Sequence, residues 1–141
     1  MNFRHVGITV TNVEESLRFY RDLLGFSLVR VMNESGKHID NFSNIDGVSV
    51  RTIKLKDKNG NMIELLKYHS HPESPNNDKI TRIGCSHIAL TVTDLDSLLV
   101  KIEQLGYSVN CEPQYSPDGN VKLTFCKGPD GVLLELVEEL K

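Results

Sequence analysis

"HVGITVTNV" at residues 5–13 and "HIALTVTDL" at residues 87–95 are nearly the same phrase, written twice in a chain of 141 residues. Val6-Gly7-Ile8-Thr9-Val10-Thr11-Asn12 aligns without a gap over Ile88-Ala89-Leu90-Thr91-Val92-Thr93-Asp94. A repeat of this kind is read before any single segment, because it makes the chain two copies of one structural unit. In each copy branched apolar residues (Val6, Ile8, Val10; Ile88, Leu90, Val92) alternate with a histidine, a small residue and a threonine. That period of two gives one strand face to a core and leaves the other narrow and polar.

The segment after each strand also repeats. Asn12 and Asp94 are good N-cap residues, and Glu15 stands three after Asn12 as in a capping box. Val13, Leu17, Tyr20 and Leu24 in one copy, and Leu95, Leu98, Ile102 and Leu105 in the other, keep a helical period. Gly25 in "LLGF" and Gly106 in "QLGY" then stop the helices. A strand-like stretch comes next, "SLVRV" or "SVNCE", and after it a polar loop. Two closing strands are expected over 48–55 and 61–67 around the "DKNGN" turn, and over 121–126 and 132–137 around "KGPDG".

Each half therefore reads as a β-α-β-β-β unit: module 1 over about residues 1–68, a linker over about 69–82, and module 2 over about 83–141. The linker "HSHPESPNNDKITR" is rich in Pro, Asn and Ser. The copies differ in length, since His5 and Glu64 are 59 positions apart and His87 and Glu135 are 48. Most of the excess falls near "NESGKHIDNFSNIDG", residues 33–47. A loop elaborated on one half only is read as a lid or a substrate-facing segment.

The expected organisation is one domain over residues 1–141, a usual single-domain size. A net charge of -3 and the lack of a strongly basic block argue against nucleic acid or an anionic membrane as partners. No apolar run approaches the roughly 18 residues of a membrane span, and no apolar signal core comes after Met1. Cys85, Cys111 and Cys126 are an odd number without CxxC spacing, which fits reduced thiols in the cytoplasm.

The closing strands carry the chemistry. Glu64 in "MIELL" and Glu135 in "LLELV" are carboxylates inside apolar runs, which are costly to bury uncompensated. A single strand-initial histidine, or a single glutamate in a strand, is ordinarily a boundary residue. Four in matched positions are a different matter. His5 with Glu64 and His87 with Glu135 lie on the first and last strands of their units, and two-fold pairing of the units would converge all four. Two imidazoles and two carboxylates suit one divalent Ni, Co, Zn, Mn or Fe ion, with open positions for water or substrate. Gly7 and Ala89, two along from each histidine, leave room for it. His69 and His71 have the spacing of a chelating pair but lie in the linker and are expected to face solvent, and Glu138 and Glu139 read as a solvated end.

"HVGITVTNVEESLRFYRDLLGF", "IELLKY", "HIALTVTDL" and "GPDGVLLELVEE", in that order, resemble the vicinal oxygen chelate superfamily of glyoxalase I, bleomycin-resistance proteins and dioxygenases. The resemblance covers nearly the whole chain. It implies an α+β fold, with two tandem β-α-β-β-β modules forming a curled mixed sheet around a metal-binding cavity. A divalent metal ion would be held by His5, Glu64, His87 and Glu135.

It also implies a glyoxalase-type lyase or isomerase acting on a small-molecule substrate with vicinal oxygens, the metal stabilising an enediolate while a carboxylate moves the proton beside a carbonyl. Glu135 is the expected base and Glu64 the second choice. Thr9 and Tyr68 stand where bacterial glyoxalase I enzymes that grip glutathione carry an arginine and an asparagine. The alternatives are an acyl-CoA epimerase, with Lys54, Lys56, Lys58 and Lys79 as candidates for the CoA phosphates; an Fe(II) extradiol-type dioxygenase using His5, His87 and Glu135; and a non-catalytic ligand-sequestering resistance protein. A homodimer is expected, because curled sheets of this kind leave edges to cover.

Overall fold

Two mixed β-sheets, each faced by a helix, make up the chain, whose computed structural model describes residues 1–75 and 79–141. It divides into two compact units, Met1–Ser74 and Pro75–Lys141. The division falls inside the expected linker, of which residues 76–78 lie outside the described residues.

In the first unit the elements run β1 (Val6–Thr9), α1 (Val13–Leu17), β2 (Ser27–Ser35), α2 (Lys37–Ser43), β3 (Ser49–Lys56) and β4 (Met62–Tyr68). The sheet order is β1-β4-β3-β2, with β1 parallel to β4 and the other pairs antiparallel. In the second they run β5 (Ile88–Val92), α3 (Leu95–Gln104), β6 (Ser108–Val109), β7 (Gln114–Tyr115), β8 (Val121–Lys127) and β9 (Leu133–Glu139). Its order is β5-β9-β8-β6, again with the first strand parallel to the last, while β7 pairs with β8. The α+β class and the repeated β-α-β-β-β unit are as the sequence implies.

The caps form as their residues dictate. Asn12 Oδ1 accepts from the Glu15 amide at 3.1 Å, and Asp94 Oδ1 from the Ser97 amide at 3.0 Å, each taking up a helix-start donor that has no partner within the helix. α1 packs on β4 and α3 on β9. Ile8, Ile53, Leu55, Ile63 and Leu65 are buried in the first unit; Leu95, Leu99, Ile102, Leu134 and Leu136 in the second. Each such side chain contributes about 1.5–3 kcal/mol by leaving water.

Three stretches differ from the sequence reading. After Leu17 the first helix continues as a π-helical segment, Arg18–Leu23, where the Leu24 amide donates to the Phe19 carbonyl at 3.0 Å. The wider turn puts two successive aromatics, Phe19 and Tyr20, into the core at 0% and 1% exposure, which a regular 3.6-residue period does not do. "SVNCE" is not one strand: pairing stops after Val109 and resumes at Gln114, beyond Pro113, which has no amide proton to give a ladder.

The third difference is Glu138, which is not a solvated end. Its Oε2 accepts from the Leu95 amide at 3.0 Å and lies 3.2 Å from Lys122 Nζ, which also meets Asp96 at 2.8 Å. The two carboxylates, Asp96 first, hold Lys122 protonated well above the ordinary lysine range. Glu139, by contrast, is exposed.

Candidate metal centre

Parallel pairing of each unit's first and last strands sets Gly7 against Glu64 and Ala89 against Glu135. Because side chains alternate along a strand, Glu64 shares a face with Leu66 and Tyr68, opposite to the face of Ile63 and Leu65 that enters the core. Each glutamate thus has apolar neighbours in sequence, yet projects from the face opposite to the buried strand residues beside it, Ile63 and Leu65 or Leu134 and Leu136. The histidines reach those glutamates from just before the first strands: His5 Nε2 lies 3.7 Å from Glu64 Oε1, and His87 Nε2 lies 3.2 Å from Glu135 Oε2. All four side chains are partly buried, Glu64 most deeply at 13% exposure.

So each unit brings together its own histidine and glutamate. Among the described residues no group of three or more His, Cys, Asp or Glu side chains comes together as a metal site. His69 and His71 are both exposed.

Both pairs have the donor chemistry for a divalent ion. Two ligands each about 2.1 Å from one ion stand roughly 3.0–3.4 Å apart at ordinary coordination angles, close to the separations seen. The second ring nitrogens differ. His87 Nδ1 is 2.9 Å from Ser86 Oγ, the kind of partner that orients a liganding imidazole. His5 Nδ1 is buried and has no hydrogen-bond partner among the described residues. A buried ring nitrogen left unpaired costs stability, so a ring kept there is explained better by chemistry than by packing.

The spacing of small residues is matched to the larger ones beside them. A Cβ on Gly7 would come within 3.3 Å of Leu66 Cδ1. At the equivalent places the second unit has Ala89 and the shorter Val137.

The inserted segment of the first unit is largely not a loop. It contains the end of β2 and the helix α2, whose Ile39 clusters with Val48 and Val50 and with the half-buried Leu66 and Tyr68. Asp40 pins its exit by accepting from the Gly47 and Val48 amides, each at 2.9 Å. α2 therefore sits on the Glu64 face, at the end where Tyr68 lies. Tyr68 is spent on this packing, and Thr9 pairs in register with Leu66.

Ser86, Phe125 and Lys54 also meet the pairs. Ser86 and Phe125 are not singled out by the sequence reading, and Lys54 enters it only as a candidate for a CoA phosphate. Phe125 pairs with Glu135 across β8 and β9 and meets the His87 ring edge to face, centroids 5.1 Å apart. Lys54 pairs with Glu64 across β3 and β4, its Nζ 3.6 Å from Glu64 Oε2. The sequence does carry a signal for two of them, since a hairpin turn fixes register: counting outward equally from "DKNGN" leads from Glu64 to Lys54, and counting outward equally from Asp130 leads from Glu135 to Phe125.

A two-module α+β fold with a matched histidine and glutamate in each module defines a class, and comparison with known proteins agrees. Residues 2–136 match the Glyoxalase/Bleomycin resistance protein/Dioxygenase superfamily, and the chain belongs to it. It is similar to the uncharacterized protein YaeR of Escherichia coli (strain K12), 30% identical over 137 residues that cover 96% of this chain and 94% of that one. It is also similar to a Synechocystis protein named "Probable lactoylglutathione lyase", 30% identical over 95% of this chain and 92% of that one. Among solved structures, a glyoxalase family protein of Bacillus cereus superposes with a TM-score of 0.90 over 100% of this chain and 95% of that one, at 21% identity.

Proposed function

We propose that the protein is a divalent-metal-dependent lyase or isomerase of the glyoxalase I type. The observation that carries this reading is the pair of histidine–glutamate contacts, at 3.7 and 3.2 Å, in the same register of two repeated modules. His5, Glu64, His87 and Glu135 would hold one ion of the Ni, Co, Zn, Mn or Fe group, with two modules meeting within one chain or between two copies in a homodimer. When bound, the ion supplies Lewis acidity toward two adjacent oxygens of a small substrate. Relatives named as lactoylglutathione lyases support this chemistry.

The residues divide the work by their surroundings. Glu64 has a basic side chain against each oxygen, His5 at Oε1 and Lys54 at Oε2. Among the described residues, Glu135 has one ion-pair partner, His87 at Oε2. The proton next to the substrate carbonyl is therefore taken by Glu135 through Oε1 and returned to the neighbouring carbon. Glu64 remains as ligand. The three free cysteines, Cys126 buried, are in keeping with a reducing cytoplasm.

The test is metal content followed by turnover. Purified protein reconstituted with Ni, Co or Zn should hold close to one ion per site, and His5→Ala and Glu135→Gln should reduce it. A parent that takes up no metal rejects the proposal. Loss of a methylglyoxal–glutathione hemithioacetal, deuterium wash-in beside the carbonyl of acyl-CoA esters, and oxygen uptake with catechols separate the lyase, the epimerase and the dioxygenase. Activity in the last alone overturns the choice of proton transfer.

A further inference from the structure

The repeat is kept at the histidines and glutamates and broken beside them. Across the strand from Glu135 stands Phe125; across the strand from Glu64 stands Lys54. Lys54 is three-quarters buried, with its side chain 23% exposed. Its Nζ lies 3.6 Å from Glu64 Oε2, an attraction through space that is too long for a hydrogen bond and leaves three donors to spend.

On its other side β3 sets Arg30 of β2 directly opposite Lys54. Residues so paired have Cβ atoms about 4.5–5.5 Å apart on one face, and like charges there repel. Arg30, Lys54 and Glu64 thus form a row across three strands, two cations and one carboxylate. Glu34, on the same face of β2 as Arg30, pairs with Val50, at the end where Val50 and Tyr68 pack with Ile39 of α2. If Glu64 becomes a metal ligand, the row is left with two cations side by side.

We infer that Lys54 and Arg30 bind an anionic group of the substrate, a carboxylate or a phosphoryl group, beside the metal on the first unit's side of the site. This inference rests on the metal reading above and narrows its substrate class to anionic vicinal-oxygen compounds. Two cations held opposite one another are what an anion with two or three acceptor oxygens takes, and occupancy removes their mutual repulsion. Lys54 is the specificity-determining residue. Arg30, being exposed, adds reach.

The test uses metal-loaded full-length protein and three hydroxamates that chelate alike and differ in one substituent: acetohydroxamate with a methyl group, malonomonohydroxamate with a carboxylate, and phosphonoacetohydroxamate with a phosphonate. Dissociation constants come from calorimetry, and metal affinity is measured separately. The parent should bind at least one anionic member about tenfold or more tighter than acetohydroxamate, and the better of the two identifies the anion. Lys54→Met should remove that advantage while leaving acetohydroxamate binding and metal affinity within about threefold; Lys54→Arg should restore it, and Arg30→Met should lose part of it.

A parent that binds metal and acetohydroxamate but gives the anions no advantage overturns the anion site alone. So does an advantage that survives in Lys54→Met. A parent that binds neither metal nor any hydroxamate overturns the metal reading and this one with it.

Discussion

Ser86→Ala tests how the His87 half of the centre is built. Metal on His87 Nε2 requires that nitrogen to present its lone pair, so the ring proton must sit on Nδ1, where it donates to Ser86 Oγ across 2.9 Å. In the metal-free protein the same hydroxyl can instead donate to Nδ1 while Nε2–H faces Glu135. Only the difference between those states enters the metal affinity. A neutral hydrogen bond contributes about 0.5–1.5 kcal/mol net. The His87 side chain is 33% exposed, so water replaces part of what the hydroxyl gave. The expected loss is therefore about threefold to tenfold in metal Kd, at or below the lower end of the range for outer partners of metal ligands. Competition of zinc against a chromophoric chelator measures it, with Ser86→Thr restoring the parent value and circular dichroism showing that both variants fold. Zinc affinity in Ser86→Ala within twofold of the parent refutes the reasoning, because the hydroxyl would then not set the tautomer that matters.

Two further outcomes concern the scaffold. Asp94→Ala removes the acceptor for the Ser97 amide and should cost about 1 kcal/mol in urea unfolding, with an unchanged denaturant slope. Burial pushes the Cys126 thiol up to about 12, so at pH 8 a disulfide-exchange reagent should titrate Cys85 and Cys111 quickly and Cys126 only on unfolding. A third fast thiol would contradict the core placement of Cys126.

The repeat makes the two-module fold and its histidine and glutamate pairs legible, because a period of two in a strand and its position relative to a turn are local properties. Asn12 and Asp94 fix helix starts for the same reason: a cap acts within three residues. The π-helical segment is hidden, since its cause is the core's demand for both Phe19 and Tyr20, which a periodicity count treats as a conflict. α2 is hidden because "KHIDNFS" offers only Ile39 to a core, and its seat is made by Val48, Val50, Leu66 and Tyr68, distant in sequence. Glu138 reads as a solvated end for a related reason, its partners Leu95 and Lys122 lying 43 and 16 positions away in the chain. Lys54 is visible as a charge but not as a neighbour of Glu64 until the hairpin register is counted.

The parallel pairing of first and last strands has a consequence for how the protein is made. His5 leaves the ribosome 59 residues ahead of Glu64, and His87 leaves it 48 residues ahead of Glu135. Closing so long a stretch costs chain entropy before the contact offsets it, so these contacts are expected to form late in each module's assembly. A nascent or truncated module that lacks its last strand offers a metal one imidazole only. Each histidine–glutamate pair is therefore complete only when its module is, and a metal bound through these pairs would follow folding rather than guide it.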